Sequence, residues 1–412
     1  EMFARPKLLS TGRALSTFKG AKEVVIASVA RTPIGSIGGT LASEPATSLA
    51  SHVIKAALER ASVQPNQVEE VYMGNVISAG IGQAPARQAT LYAGIPNTTP
   101  CTTVNKVCAS GMKAVMLASQ NVALGGADIM VAGGFESMSN VPYYLPGGRY
   151  GMRYGHGKVL DGVLHDGLWD VYNNQHMGMC GEVCAEQYGF SREDQDRYAI
   201  ESYLRAAHAT EQGLFKDELV PYTVKTRKGE KVVDVDEGVS AMNLEKLPKL
   251  RAAFKPDGTV TAANASPLND GAAAMVIMSG DKARELGIKP MARILGFGDA
   301  AQDPVMFTTA PSLAVPKALA AAGVHPSDVD YHEINEAFSV VSLVNMQLLN
   351  LEHSRVNVNG GAVALGHPIG CSGARIIGTL ANVLRQKDAT LGCASICNGG
   401  GGASAIVIER LN

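Results

Sequence analysis

"ALERASVQPNQV" (Ala57–Val68) and "ALAAAGVHPSDV" (Ala318–Val329) line up without a gap, and how that match is read decides the fold. Ala57/Ala318, Leu58/Leu319, Ala61/Ala322, Val63/Val324, Pro65/Pro326 and Val68/Val329 are identical pairs. Each copy runs from an alanine-rich helix through a proline turn into an apolar strand. The echo continues downstream. Ser110–Gly111 and Ser372–Gly373 each open a helix, and "DIMVAGG" (128–134) and "CASICNGGGG" (393–402) occupy corresponding places. Such a match is either a duplication or a chance likeness of two ordinary α/β units; its length favours two related halves with sites near their mutual dyad.

Working outward, "EVVIASVARTPIG" (Glu23–Gly35) reads as an apolar strand ending in a Pro–Gly turn. A helix over Thr47–Ala61 and the strand "VEEVYMGNV" (Val68–Val76) follow. Strand, helix, strand is the signature of an α/β fold. From about residue 140 to 260 the chain changes character. "YYLPGGRYGMRYGHGKV" (143–159) is rich in glycine and aromatics, and "KTRKGEKVVDVDEG" (225–238) is a charged, hairpin-like stretch. The organisation expected is an N-terminal half at 22–139 and 262–288, an inserted binding subdomain at 140–261, and a C-terminal half at 289–412. Insertions on a rigid scaffold commonly carry binding function.

Composition narrows the class. At 412 residues the chain has room for about two or three domains. With 9 Phe and 1 Trp against 45 Gly, its core must be aliphatic and closely packed. A net charge of -2 provides no basic stripe for nucleic acid. No apolar run approaches the roughly 18 residues of a spanning helix. The seven cysteines are odd in number and form no pair of CxxC units, which argues against a disulfide scaffold and for a reducing compartment. Residues 1–21 carry Arg5, Lys7, Arg13 and Lys19 with no acid between Met2 and Ala21. That composition suits a transit peptide or a disordered tail.

Four segments could carry chemistry. In "NKVCASGMKAV" (Asn105–Val115) Cys108 sits at the mouth of a small-residue helix, where orphan N–H groups favour a thiolate. The small residues that follow suit either a reachable nucleophile or tight packing. In "GGAVALGHPIGCSGARI" (Gly360–Ile376) His367 is pinned between Gly366 and Pro368 before a helix, with an ordinary pKa near 6.5. "CNGGGG" (Cys397–Gly402) sets a second thiol beside glycines whose N–H groups can form an oxyanion pocket or a bend between strands. "HEINEAFS" (His332–Ser339) offers Asn335, which would ordinarily be a helix N-cap. A fifth pattern, His176, Cys180 and Cys184, puts three potential metal ligands on one helix face. With no fourth ligand evident, buried packing is the expectation there.

Cys, Asn-Glu-Ala-Phe, Gly-His-Pro and Cys-x-Gly-Gly in this order resemble the thiolase family, and the resemblance covers nearly everything from Glu23 onward. "HMGMCGEVCAEQYGFSREDQD" (176–196) and "VTAANASPLNDGAAA" (260–274) are similar to its short-chain, mitochondrial branch. The resemblance implies duplicated α/β halves in a helix–sheet–helix–sheet–helix stack. It implies reversible cleavage of acetoacetyl-CoA through an S-acetyl-cysteine, without a redox cofactor. By the same resemblance Cys108 is the nucleophile, activated by the helix end and followed by small residues that clear space for an acyl chain, with His367 its base and Cys397 the second acid/base. Asn335 and Gly399 serve the two oxyanion holes. Tyr203, Lys246 and Ser266 contact coenzyme A, and His176, Met177 and Phe307 line the acyl end. Tyr203, Ala262, Ala263, Ala265 and Val363 match a potassium site. Ala241, Met242 and Asn243 replace that branch's Arg-Val-Asp run against the adenine. A homotetramer and a mitochondrial matrix location are implied as well. The rivals are a broad-chain 3-ketoacyl-CoA thiolase and an inactive coenzyme A-binding scaffold. Intact Cys108, His367 and Cys397 argue against the latter.

Overall fold

In a computed structural model, which describes residues 21–241 and 245–411, apolar strands build two mixed sheets around a shared helical layer. The acid-poor tail and Met242–Asn243 lie outside the described residues.

The strands are β1 (Val24–Arg31), β2 (Glu70–Gly74), β3 (Cys101–Val104), β4 (Ile129–Ser137), β5 (Asn269–Ser279), β6 (Ala292–Ala301), β7 (Tyr331–Ile334), β8 (Leu391–Asn398) and β9 (Gly402–Arg410). The main helices are α1 (Ala46–Ala61), α2 (Pro85–Tyr92), α3 (Ser110–Ala123), α4 (Met177–Tyr188), α5 (Arg192–Glu211), α6 (Pro311–Ala322), α7 (Ser339–Leu349) and α8 (Ile369–Gln386). The N-terminal half orders its strands β1-β5-β4-β2-β3, and the C-terminal half β6-β9-β8-β7. Only Val25↔Arg293 and Ile26↔Ala292 join β1 to β6, so the two sheets meet along a short antiparallel seam.

Strand period decides the layering. Along β1, Val25 and Ala27 face the α1/α2 core, whereas Val24 and Ile26 face inward. In β9, Ala405 and Val407 pack with Ala314 and Leu319 of α6, while Ile406 and Ile408 turn inward. The inner core gathers Met112, Val115 and Met116 of α3 with Ile376, Ile377 and Leu380 of α8. The order is therefore helices, sheet, α3 with α8, sheet, helices. β4 and β5 are covered on both faces and wholly buried, and their middles, 129–135 and 272–278, accordingly read as near-continuous apolar runs.

The two central helices touch at their N-terminal ends, where glycine is required. A Cβ on Gly111 would lie 2.9 Å from the backbone of Gly370 and of Ala374, and one on Gly373 would lie 2.5 Å from Met112 N. These contacts exchange under the repeat, so the dyad passes between them. Ala109 and Ser110 are fully buried there as well. The small residues after Cys108 thus serve helix packing and do not clear an acyl path.

Between β4 and β5 the chain leaves the sheet. This excursion holds α4, α5, the hairpin Tyr222–Thr226/Gly229–Val233 and the glycine–aromatic stretch, whose Tyr143, Tyr150 and Tyr154 are exposed. It is tied back through Arg31, which pairs in the buried interior with Glu218 and Asp236 at 2.6 and 2.8 Å.

Candidate active site

Cys108 follows β3 through a loop that the sequence itself constrains. Val107 takes a left-handed φ of 48°, unusual for a β-branched residue. It is held there by its N–H donating to Asn105 Oδ1 at 2.9 Å and by Ser110 Oγ donating to its carbonyl at 2.5 Å. The result aims the Cys108 sulfur at the backbone N–H groups of Gly399 and of Cys108 itself. Burial pushes the thiol up to about 11 against those two hydrogen bonds. The sequence expectation of a helix-activated thiolate is overturned: α3 begins two residues later, and desolvation outweighs its N-terminus.

His367 is placed by its neighbours. Gly366 has φ 113°, and a Cβ there would meet Ile34 and Asn269 at 2.6 and 2.7 Å. The His367 N–H donates to Asn269 Oδ1 at 2.9 Å. Its Nδ1 lies 2.6 Å from Ser372 Oγ, and that hydroxyl donates to the Pro368 carbonyl at 3.0 Å. With the hydroxyl proton so used, Nδ1 carries the ring proton and Nε2 keeps its lone pair. Nε2 is 3.4 Å from Asn335 Nδ2. Burial, then the charge of Arg375, lowers His367 to about 3, well below its ordinary value. In the free site both thiol and imidazole are neutral.

Asn335 caps no helix, since α7 begins at Ser339 behind Phe338. Its backbone N–H donates to Ser395 O at 3.0 Å, and its buried Oδ1 has no partner among the described residues. Glu336 beside it is a hub: Tyr198 Oη, Ser202 Oγ and Asn357 Nδ2 donate to it at 2.8 Å, and the Val363 N–H at 3.0 Å. That carboxylate fastens α5 of the excursion to the C-terminal half. Cys397, on β8, is fully buried among Met177, Cys184, Phe307 and Phe338. Burial and then the charge of Cys108 push its thiol far up, so the two sulfurs are within electrostatic reach.

One cleft of about 90 Å³ gathers Cys108, His367, Gly399, His176, Met177, Ser266, Phe307 and Ala265. Gly167, Leu168, Phe254, Ala337, Phe338 and Ile369 complete its walls. His176 caps α4 by accepting the Gly178 N–H at Nδ1 (2.9 Å), and it stacks on Phe254 with centroids 4.6 Å apart. Its ring is thereby engaged, and Cys180 and Cys184 are packed inside α4. Ser266 donates both its N–H and its hydroxyl to Ala337 O at 3.0 Å.

Other predicted residues lie elsewhere. Tyr203, Ala263 and Val363 pack together beside Leu247, outside the cleft lining, while Ala262 is exposed. Burial and the Glu336 charge raise the Tyr203 phenol. Lys246 is exposed next to Leu247. Sequence reasoning missed Ser372 as the His367 partner, although its place five residues past His367, in the first turn of the following helix, was a usable signal. Leu168 and Phe254 gave no signal, because no motif surrounds them.

The thiolase N-terminal domain model matches residues 24–281, and the thiolase C-terminal domain model matches residues 288–410. The chain belongs to the thiolase family. A cytosolic acetyl-CoA acetyltransferase of Gibberella zeae is 55% identical over 94% of this chain and 98% of its own length. The mitochondrial acetyl-CoA acetyltransferase of Rattus norvegicus is 54% identical over 97% and 94%. The Acat5 thiolase of Ascaris suum, solved in complex with coenzyme A, is 46% identical over 95% of this chain and 100% of its own, with a TM-score of 0.90. The fold is accordingly that of thiolases.

Proposed function

We propose that this thiolase is a short-chain acetyl-CoA C-acetyltransferase. It cleaves acetoacetyl-CoA with coenzyme A to two acetyl-CoA, or condenses two acetyl-CoA, through S-acetyl-Cys108. The observation that carries this is the meeting of Cys108, His367 and Gly399 on one small cleft, with Cys397 buried behind its Met177, Phe307 and Phe338 wall and in electrostatic reach of Cys108. In cleavage the Cys108 sulfur attacks the 3-keto carbon while its proton passes to His367 Nε2. The Nδ1–H to Ser372 hydrogen bond supports the imidazolium that forms. The N–H groups of Cys108 and Gly399 take the developing oxyanion, a donor type worth roughly 3–4 kcal/mol each. As the C2–C3 bond breaks, Cys397 protonates C2 of the departing acetyl-CoA. The proton held by His367, together with Asn335, steadies the thioester oxygen. The His367 proton returns to Cys397; as the coenzyme A sulfur attacks S-acetyl-Cys108, His367 takes the coenzyme A thiol proton and hands it to the departing Cys108 sulfur, which restores both thiols.

The likeness to acetyl-CoA acetyltransferases at 54–55% identity supports the short chain. Phe307 on the cleft wall extends the reading to 2-methylacetoacetyl-CoA. His176, Met177 and Ser266 line the route for the thioester end, with Tyr203 and Lys246 further along the coenzyme. Tyr203, Ala262, Ala263, Ala265 and Val363 form the candidate potassium position. The packing of Tyr203 against Ala263 and Val363 supports it, and carbonyl oxygens suit that hard ion. A homotetramer is part of the reading, supported by the exposed aromatics at 143–154. So is the mitochondrial matrix, on the acid-poor tail, although relatives from both compartments are equally similar.

The test is mass spectrometry after brief exposure to acetyl-CoA. An acetyl adduct on the peptide containing Cys108 is expected. An adduct elsewhere, or none, overturns the assignment. Turnover of an eight-carbon ketoacyl-CoA above that of acetoacetyl-CoA would move the enzyme to the broad-chain class.

A further inference from the structure

The Cys108 loop is tied to the other half of the molecule by a charged cluster that the mechanism above does not use. Lys106 Nζ ion-pairs with Asp299 Oδ1 of β6, donates to Ser404 Oγ of β9 at 2.8 Å, and reaches the Ala403 carbonyl at 3.3 Å. Ser404 Oγ in turn donates to Asp299 Oδ1 at 2.7 Å, and Lys113, in the first turn of α3, donates to Asp299 Oδ2 at 2.7 Å. Asp299 and Ser404 face each other in the β6–β9 register, and Ala403 is the register partner of Cys397. Cys108 thus lies two residues along the chain from the lysine whose ammonium reaches the residue paired with Cys397.

The loop needs such an anchor. Val107, between Lys106 and Cys108, holds a left-handed conformation that a β-branched residue adopts only when its surroundings impose it. Asn105 and Ser110 fix the loop within the N-terminal half. The Lys106 cluster fixes that side of it by charge against the strand paired with the one that bears Cys397, beside the Gly399 N–H to Cys108 contact. Against burial, hydrogen bonds from Lys106, Lys113 and Ser404 hold Asp299 ionised, at about 2, so that carboxylate keeps its charge across the working range of pH.

We propose that Lys106, clamped by Asp299 and Ser404, is a positioning residue that sets the distance between the sulfurs of Cys108 and Cys397. It therefore governs the carbon–carbon step more than acetyl transfer. This rests on the thiolytic reading above, because acetylation of Cys108 by acetyl-CoA uses His367 and the Gly399 N–H, whereas bond cleavage and condensation also need Cys397 in register. A misplacement of about 1 Å costs roughly 100-fold.

The experiment compares the two steps in the full-length wild type, Lys106→Met, Lys106→Arg and Ser404→Ala. Acetylation of Cys108 is followed by mass spectrometry with acetyl-CoA as the probe, and carbon–carbon cleavage by acetoacetyl-CoA turnover. Lys106→Met is expected to keep acetylation near the wild-type rate while cleavage falls about 100-fold. Lys106→Arg, which can still bridge Asp299, recovers most of the loss, and Ser404→Ala shows a milder split of the same sign. Parallel loss of both steps, or retention of both, in Lys106→Met and Ser404→Ala alike overturns the proposal. Failure of the wild type to acetylate at Cys108 would instead strike the underlying reading.

Discussion

The hairpin β8–β9 closes through Gly399, Gly400 and Gly401, whereas its counterpart β4–β5 opens into an excursion running from residue 138 to 268. The same position in a duplicated fold has taken two opposite forms, and the site needs both. The tight turn keeps the Gly399 N–H on the Cys108 sulfur. The open one sends Leu168, His176, Met177 and Phe254 back across the dyad as walls. The halves also differ before their central helices. The N-terminal half inserts an edge strand, β3, and delivers Cys108; the C-terminal half has no such strand there and delivers Asn335 and His367. Symmetry supplies the scaffold, and the departures from it supply the chemistry.

The sharpest way to break this comparison is to remove the C-terminal sulfur. Cys397→Ala should lower acetoacetyl-CoA turnover by about 10²–10⁴-fold, the usual weight of a positioned acid/base, while Cys108 still takes up an acetyl group. Stopped-flow turnover and adduct mass together check it. If acetylation fails to the same degree, the division of labour between the halves is wrong.

A second test addresses the dyad. A Cβ on Gly134 would sit 2.0 Å from Gly370 O and 3.0 Å from Gly111 Cα, backbone on both sides. Gly134→Ala should therefore cost about 3 kcal/mol in denaturant unfolding, and Gly111→Ala about 1–3 kcal/mol. Gly378, further along α8, meets only ordinary contacts with Val29 from 3.5 Å, and alanine there should be neutral or stabilising by up to about 1 kcal/mol. A Gly111→Ala enzyme of unchanged stability but raised KM would restore the idea that these small residues make room for substrate.

Much of this was legible in the chain. The repeat around Ala57 and Ala318 exposed the two halves, because an alanine-rich helix, a proline turn and an apolar strand leave a dense local signature. Cys108, His367 and Cys397 were readable because loop-bound nucleophiles and bases need glycine and proline around them. What the sequence could not show is environment. Whether Cys108 is a thiolate depends on desolvation by residues from both ends of the chain, and burial wins over the helix terminus. Whether Ala109, Ser110 and Gly111 make space or fill it depends on α8, some 260 residues away in the chain. Phe254 and Leu168 reach the cleft through tertiary packing that no local pattern encodes.

The smallest effect concerns acid. Of the nine histidines, His332 and His367 are the buried ones, and both lie in the C-terminal half. Burial, then nearby arginine charge, lowers them to about 4 and about 3. Each is neutral when folded, and each takes up a proton more readily once unfolded. Their contribution to stability is full above pH ~6.5 and drains away as pH falls, through about 4 for His332 and about 3 for His367. The slope for one such group is about 1.4 kcal/mol per pH unit. His367→Asn should therefore lose about 2–3 kcal/mol less than the wild type between pH 6.5 and 4.5, and His332→Gln a similar amount, with urea unfolding at each pH as the measurement. An acid slope in His367→Asn equal to that of the wild type would mean that the folded enzyme already holds this imidazole protonated. The neutral imidazole from which the proposed proton transfer begins would then have to be abandoned below pH ~6.5.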